Sequence, residues 1–130
     1  MRALVQMLGA DSAVASCVSD AQKIISPAPT YPFLLALRAQ SKPLLVITSS
    51  SRAAEDLASE LRELHQNVLE FPAWETLPHE RLSPRSDTVA RRLATLSALE
   101  AKDLENPIVV APIRAVIHRF IANLATSALQ

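Results

Sequence analysis

Two runs constrain the fold more than anything else in this sequence. Leu44 to Thr48 reads LLVIT and Ile108 to Ala111 reads IVVA. Neither alternates apolar with polar residues, so each needs cover on both faces. A strand inside a parallel sheet receives that cover. Between them, Ser49-Ser50-Ser51 supplies helix N-caps, and Ala54, Leu57, Ala58, Leu61 and Leu64 fall on one face of a helix over residues 52–65. Arg52, Glu55, Arg62 and Glu63 lie largely elsewhere, on a solvated surface. NVLEF (residues 67–71) is a third strand. A second long helix starts at Ser83-Pro84 or Ser86-Asp87 and runs to about Lys102, with Val89, Leu93, Leu96 and Leu99 as its buried stripe. Strands alternating with helices predict an α/β layer fold with a mostly parallel sheet.

The flanks complete the pattern. Residues 2–8 and 12–22 read as two short helices, the first ended by Gly9 and the second capped by Asp11 or Ser12. Lys23 to Ser26 (KIIS) is a short strand candidate. Residues 26–32 (SPAPTYP) form a proline-rich loop, and Pro32 starts a helix over residues 33–40. Asn106-Pro107 breaks the chain before IVVA. Pro112 opens a last helix to about Leu124, with Ile113, Val116, Ile117, Phe120, Ile121 and Leu124 apolar. Ligands favour the carboxyl ends of parallel strands. The loops at 26–32, 48–51, 72–83 and 111–112 are therefore the places for a site.

Most chemistry is excluded by what these loops lack. The 130 residues hold one glycine and nine prolines. A phosphate loop needs glycines whose N–H groups wrap the anion, and a lysine to neutralise it. The corresponding positions here are Ser26, Pro27, Ala28, Pro29 and Thr30, and a proline has no N–H to give, so no nucleotide cofactor is expected. His79-Glu80 begins an HExxH motif, but position 83 is serine; His65 and His118 cannot be placed beside it, and no metal is expected. No GxSxG elbow exists. Glu75 and Glu80, in one loop, read as solvated. Cys17 is the sole cysteine, so no intrachain disulfide forms, and a reducing cytoplasm fits. The run before Cys17 resembles a lipoprotein cleavage site but contains Gly9, Asp11 and Ser12, too polar for a signal core. No apolar run approaches the ~20 residues that span a bilayer, so no membrane role is expected. Formal net charge is zero. Any nucleic-acid contact therefore needs a local patch, and Arg81, Arg85, Arg91 and Arg92 against Asp87 supply one, through phosphate contacts or through salt bridges.

The run FPAWETLPHERLSPRSDTVARRL resembles bacterial transcription-repair coupling factor (Mfd). The family pattern is matched by Phe71, Pro72, Trp74, Glu75, Thr76, Leu77, Pro78, Glu80, Ser83, Pro84, Asp87, Arg92 and Leu93. PFLLAL, PLLVITSSSRAAEDLASEL and IVVAPIRAVI follow in the family's order, so the resemblance spans about residues 30–120. It implies a three-layer RecA-like (P-loop NTPase-like) subdomain whose nucleotide loop is degenerate, from the N-terminal UvrB-like module of a much longer protein. It further implies N-terminal helices over 1–25, the UvrB-homology subdomain over 26–120 and the start of a following segment over 121–130. The full-length family is an ATP- and magnesium-dependent DNA translocase that removes stalled RNA polymerase and recruits UvrA. Those activities and partners reside downstream, which leaves this segment non-catalytic, contacting the rest of its polypeptide and scaffolding UvrA recruitment. A DNA-binding fragment using Arg81 to Arg92 is the alternative. Trp74 and Leu77 are expected to pin the loop to the sheet end, with Glu75, Arg81 and Asp87 fixing its shape.

Overall fold

A computed structural model describes residues 1–20, 22–74 and 86–117. The expectations for residues 75–85, which cover Glu75, Thr76, Leu77, Pro78, His79, Glu80, Arg81, Ser83, Pro84 and Arg85, lie outside the described residues. So do those for His118, Phe120, Ile121 and Leu124.

The described elements are α1 (Arg2–Ala10), α2 (Ser12–Asp20), α3 (Tyr31–Arg38), β1 (Leu44–Thr48), α4 (Ser51–Leu64), β2 (Val68–Glu70), α5 (Ser86–Ala101), β3 (Ile108–Pro112) and α6 (Ile113–Val116), with a single 3-10 turn at Ala28–Thr30. The three strands are parallel in the order β1-β3-β2. The route explains the layers. The chain leaves β1, crosses β3 through α4 to reach β2, then returns through α5 to β3. Two parallel crossovers of one hand that run in opposite directions place their helices on opposite faces. The core follows that parity. Ile108 and Val110 are fully buried with Ala58 and Leu61 of α4 and with Ala36 of α3, whereas Val109 and Ala111, one residue out of phase, pack with Phe71, Leu96 and Ala115.

Sequence and element agree closely in the middle of the chain. Ser50 caps α4, its Oγ accepting Ala53 N–H at 3.2 Å, and Ala54, Ala58, Leu61 and Leu64 are the buried row. Asp11 caps α2, its Oδ1 accepting the N–H groups of Ala13 and Val14 at 2.9 and 3.3 Å. Pro32 lies in the first turn of α3, two residues later in the helix than expected.

Four expectations are corrected. Gly9 does not end α1; it sits inside a helix that reaches Ala10. A Cβ there would meet the terminal amide of the Gln40 side chain, which would have to move aside. Residues 23–26 form no strand: Ile24 and Ile25 are exposed and the segment has no ladder partner among the described residues. The buried residues of α5 are Thr88, Arg92 and Thr95, while Val89, Leu93 and Leu96 flank them half-buried and Leu99 is exposed. In α6 the buried residue is Ala115, and Ile113 and Ile117 face outward.

The N-terminal helices join the same core through Val5 and Val18. Gln40 Nε2 donates to Val5 O at 3.1 Å and Arg2 Nη2 to Arg62 O at 3.4 Å, which docks α1 on α3 and on the end of α4. His65, which follows α4, lines the cleft beneath α1 and takes Asn67 N–H on Nδ1 at 3.2 Å. Burial lowers the proton affinity of His65, and the Arg2 guanidinium pushes the same way. A histidine whose folded pKa is depressed contributes stability above its unfolded value, about 6.5, and that contribution is lost as pH falls below it. Thermal melts between about pH 5 and 8 are therefore expected to show a drop on the acid side that His65→Gln removes. An unchanged acid limb in the variant assigns the drop to other groups.

Candidate functional site

The polar cluster at the carboxyl end of β2 gathers Trp74, Arg91 and Arg92, three of the described residues that the sequence singled out. It is built by α5, whose inward row Thr88, Arg92 and Thr95 recurs at i, i+4 and i+7 and so points at one line of the sheet edge. Arg92 and Thr95 find partners at the end of β2 and on the chain leaving it. Arg92, 4% exposed, donates from Nη1 to Pro72 O at 2.6 Å. Its guanidinium lies 3.9 Å from the Phe71 ring centre and 4.5 Å from that of Trp74. Thr95 Oγ1 lies 2.9 Å from Glu70 O and 3.0 Å from Arg91 O. Phe71 N–H continues the ladder to Val110 O at 2.9 Å.

Electrostatics decide what this cluster can do. The Glu70 carboxylate is nearly buried and is held from two sides: Arg91 Nη2 at 2.7 Å from Oε1 and Arg62 Nη2 at 3.5 Å from Oε2. The two arginines are half exposed, so each pair contributes only about 0.2–1 kcal/mol. Arg92 has a different environment. Burial lowers its proton affinity, yet a guanidinium stays charged in a protein. Two ring faces and a carbonyl replace part of its water, which is how an arginine with no carboxylate partner among the described residues is accommodated in a core. Among the described residues the cluster contains no nucleophile with a base beside it. It clamps the start of the Phe71-Pro72-Ala73-Trp74 segment to α5.

This geometry separates the candidates. Trp74 and Arg92 are brought together in one stack. Arg91 is committed to Glu70, and Asp87 is exposed in the first turn of α5. The local arginine excess is thus divided, with Arg91 in a salt bridge and Arg92 turned inward. Four participants were missed in the sequence: Phe71 as a ring for Arg92, Glu70, Arg62 and Thr95. A signal existed. Thr88, Arg92 and Thr95 occupy a helical stripe, where polar residues need partners.

The proline-rich loop lies elsewhere, before α3. Thr30 satisfies its own turn, its N–H and Oγ1 both donating to Pro27 O at 3.0 and 2.7 Å. Pro27 and Pro29 have no N–H, so the backbone presents no cradle. Ser26 Oγ is buried without a hydrogen-bond partner among the described residues. At the carboxyl ends of β1 and β3, Thr48 Oγ1 donates to Ser50 O at 3.0 Å, and Pro112 offers no N–H. Cys17 is exposed. No group of three metal-ligating side chains occurs among the described residues, and no described helix is long and apolar enough to cross a membrane.

Comparison with known proteins gives one answer. The chain is 45% identical to the transcription-repair-coupling factor of Mycobacterium tuberculosis over 85 residues, which are 65% of this chain and 7% of that protein. It is 36% identical to the transcription-repair-coupling factor of Haemophilus influenzae over 76 residues, 58% of this chain and 6% of the relative. The Escherichia coli protein of the same name is 28% identical over 78 residues, 59% of this chain and 7% of the relative. No family model matches the chain. The chain thus spans only a small fraction of the length of the curated relatives it matches. Taken with the Trp74-Glu75-Thr76-Leu77-Pro78 motif and the order of the flanking runs, these matches show that the chain belongs to the transcription-repair coupling factor family, as a segment of such a protein.

Proposed function

We propose that this chain is a non-catalytic, RecA-like part of the N-terminal, UvrB-like module of a transcription-repair coupling factor, and that it scaffolds the neighbouring surface that recruits UvrA. The carrying observation is the combination of a coupling-factor sequence with a strand-and-helix frame whose nucleotide position is filled by Ser26, Pro27, Ala28, Pro29 and Thr30. Those residues close on themselves and offer no glycine, no lysine and few free N–H groups. The domain divisions expected above, 1–25, 26–120 and 121–130, belong to the same proposal. ATP hydrolysis, DNA translocation and RNA polymerase contact are assigned to the longer protein, outside this segment. The clamp of Arg92 on Phe71, Pro72 and Trp74 gives the scaffold a fixed exit from β2, from which the Trp74-Glu75-Thr76-Leu77-Pro78 motif departs.

The direct test is a chimera. The 85 matched residues of the mycobacterial relative are replaced by the corresponding stretch of this chain, and transcription-coupled repair is measured in cells lacking the native protein. Repair is expected to be restored. A chimera that is stable and abundant yet inactive overturns the scaffold reading. Separately, the purified chain is titrated with a fluorescent ATP analogue. No saturable, magnesium-dependent signal is expected at micromolar nucleotide; such a signal would show that the loop is not degenerate.

A further inference from the structure

A path of hydrogen bonds joins His65 to α1 around a cleft of about 440 Å³. His65 Nδ1 accepts Asn67 N–H at 3.2 Å, and Asn67 Nδ2 donates to Glu105 O at 2.7 Å. The next residue, Asn106, holds a left-handed backbone at φ 44° and donates from Nδ2 to Gln40 O at 3.1 Å. Gln40 Nε2 completes the path on Val5 O at 3.1 Å. A second link is direct: Arg2 Nη2 donates at 3.4 Å to the carbonyl of Arg62, in the last turn of α4 just before His65. Otherwise α1 is lightly held. Val5 is its one buried residue, Leu8 is half-buried, and Leu4 and Met7 are exposed. Few buried contacts put a segment at the low end of local stability. Helix α2 is fastened separately, by the buried Val18 and by Arg38 Nη1 donating to Val18 O at 2.8 Å. Between the two helices Asp11 is extended (φ −76°, ψ 113°), so α1 can turn away without α2.

We propose that α1 is a strap over this cleft, latched while the His65 imidazole is neutral and released when it takes a proton. The latch depends on a lone pair. Neutral His65 accepts Asn67 N–H on Nδ1 only with its own proton on Nε2. The imidazolium carries hydrogen on both nitrogens, so two donors then face each other and the bond is lost. That loss loosens the turn over residues 65–67, where the path to Val5 begins. The charge balance acts in the same direction. Among the described residues, Arg2 from α1 and Glu105 from the loop before β3 are the charged side chains that line the cleft with His65. The contributions of α3 and of the entry to β2 are uncharged, and Arg62 of α4 is paired with Glu70. Of the two lining charges, Arg2 is the one that acts on the imidazole, and it opposes a second cation. Protonation thus breaks one link to α1 and repels the other. The strap is closed above the ordinary histidine value of about 6.5 and opens as pH falls below it.

Imidazole nitrogen shifts and amide hydrogen exchange, both read by NMR on the 130-residue chain, test the proposal. At neutral pH the His65 shifts are expected to report the tautomer with its proton on Nε2. A proton on Nδ1 there overturns the proposal, because that nitrogen then has no lone pair for Asn67 N–H. After correction for intrinsic rates, the Met7 and Leu8 amides are expected to exchange about threefold faster at about pH 5 than at about pH 7.5, relative to Leu61 of α4 and Val110 of β3. His65→Gln keeps an acceptor for Asn67 N–H and does not titrate, so this ratio is expected to stay level across pH. Arg2→Gln, at an exposed position, keeps His65 and is expected to raise its titration midpoint toward the ordinary value. A level ratio in the parent, a pH dependence retained in His65→Gln, or an unmoved midpoint in Arg2→Gln overturns the proposal. So does an acceleration of Leu61 and Val110 equal to that of α1, which would mean that the whole domain opens rather than the strap.

Discussion

Arg92→Ala is expected to lower the melting temperature by about 10 °C. The guanidinium loses two ring contacts, each about 0.5–2 kcal/mol, and a charge-assisted bond to Pro72 O of about 1.5–3 kcal/mol. Part of that is offset because the variant no longer desolvates a charge, leaving a net cost of about 2–4 kcal/mol. In a chain of this size one kcal/mol moves the midpoint by roughly 3–5 °C. Arg92→Lys keeps the charge but not the plane that lies against both rings, so it is expected to recover less than half of the loss. Trp74 is the single tryptophan, and its fluorescence reports the stack locally: Arg92→Ala is expected to shift its emission to the red as the indole gains water. A melting midpoint within about 2 °C of the parent, with unchanged emission, would show that the stack does not hold this end of the sheet.

The second large effect lies in the helix layer. Leu61 is fully buried in α4 against β2 and β3, and Leu61→Ala is expected to cost about 2–5 kcal/mol, through lost transfer energy and the cavity left behind. That is a large share of the roughly 5–15 kcal/mol that stabilises a typical domain. The contrasting substitution is Leu45→Ala, the same chemical change on the open face of β1, expected to cost under about 0.5 kcal/mol in the isolated chain. Denaturant unfolding of the pair measures the difference. Equal costs would mean that both faces of β1 are packed, and the one-sided cover of this strand would be wrong.

Particular residues show why some elements were legible and others were not. LLVIT and IVVA became strands at nearly the expected boundaries, because a short apolar, β-branched run has few other stable states. Ala54, Ala58, Leu61 and Leu64 fell on one helical face, and a serine before them closed the cap. Lys23 to Ser26 has similar composition yet forms no strand. A strand exists only where a neighbour completes its hydrogen bonds, and local sequence does not say where that neighbour is. Helix α5 misled for the opposite reason. Its leucines and valine marked a stripe, but the most buried row is Thr88, Arg92 and Thr95, of which Arg92 and Thr95 bond main-chain carbonyls at the end of β2 and just beyond it.

The candidate site divides along the same line. Trp74 and Arg92 were named from the sequence because they sit in a dense family motif, and the structure shows what each does for the other. Glu70, Arg62 and Thr95 carry no local mark; their roles arise because β2, α4 and α5 converge at one point.

The sequence by itself determined the alternation of strands and helices, the parallel character of the sheet, the caps of α2 and α4, and a proline-rich loop without a phosphate cradle. Each follows from periodicity, branching or a missing N–H, properties a residue carries with it. Only the tertiary structure decided the strand order β1-β3-β2, the burial of an arginine between two rings, the pairing of Glu70 with Arg62 and Arg91, and the exposure of Leu45 and Ile47 on β1. Those depend on which distant segments share a boundary, and burial, unlike propensity, is a property of the neighbour as much as of the residue.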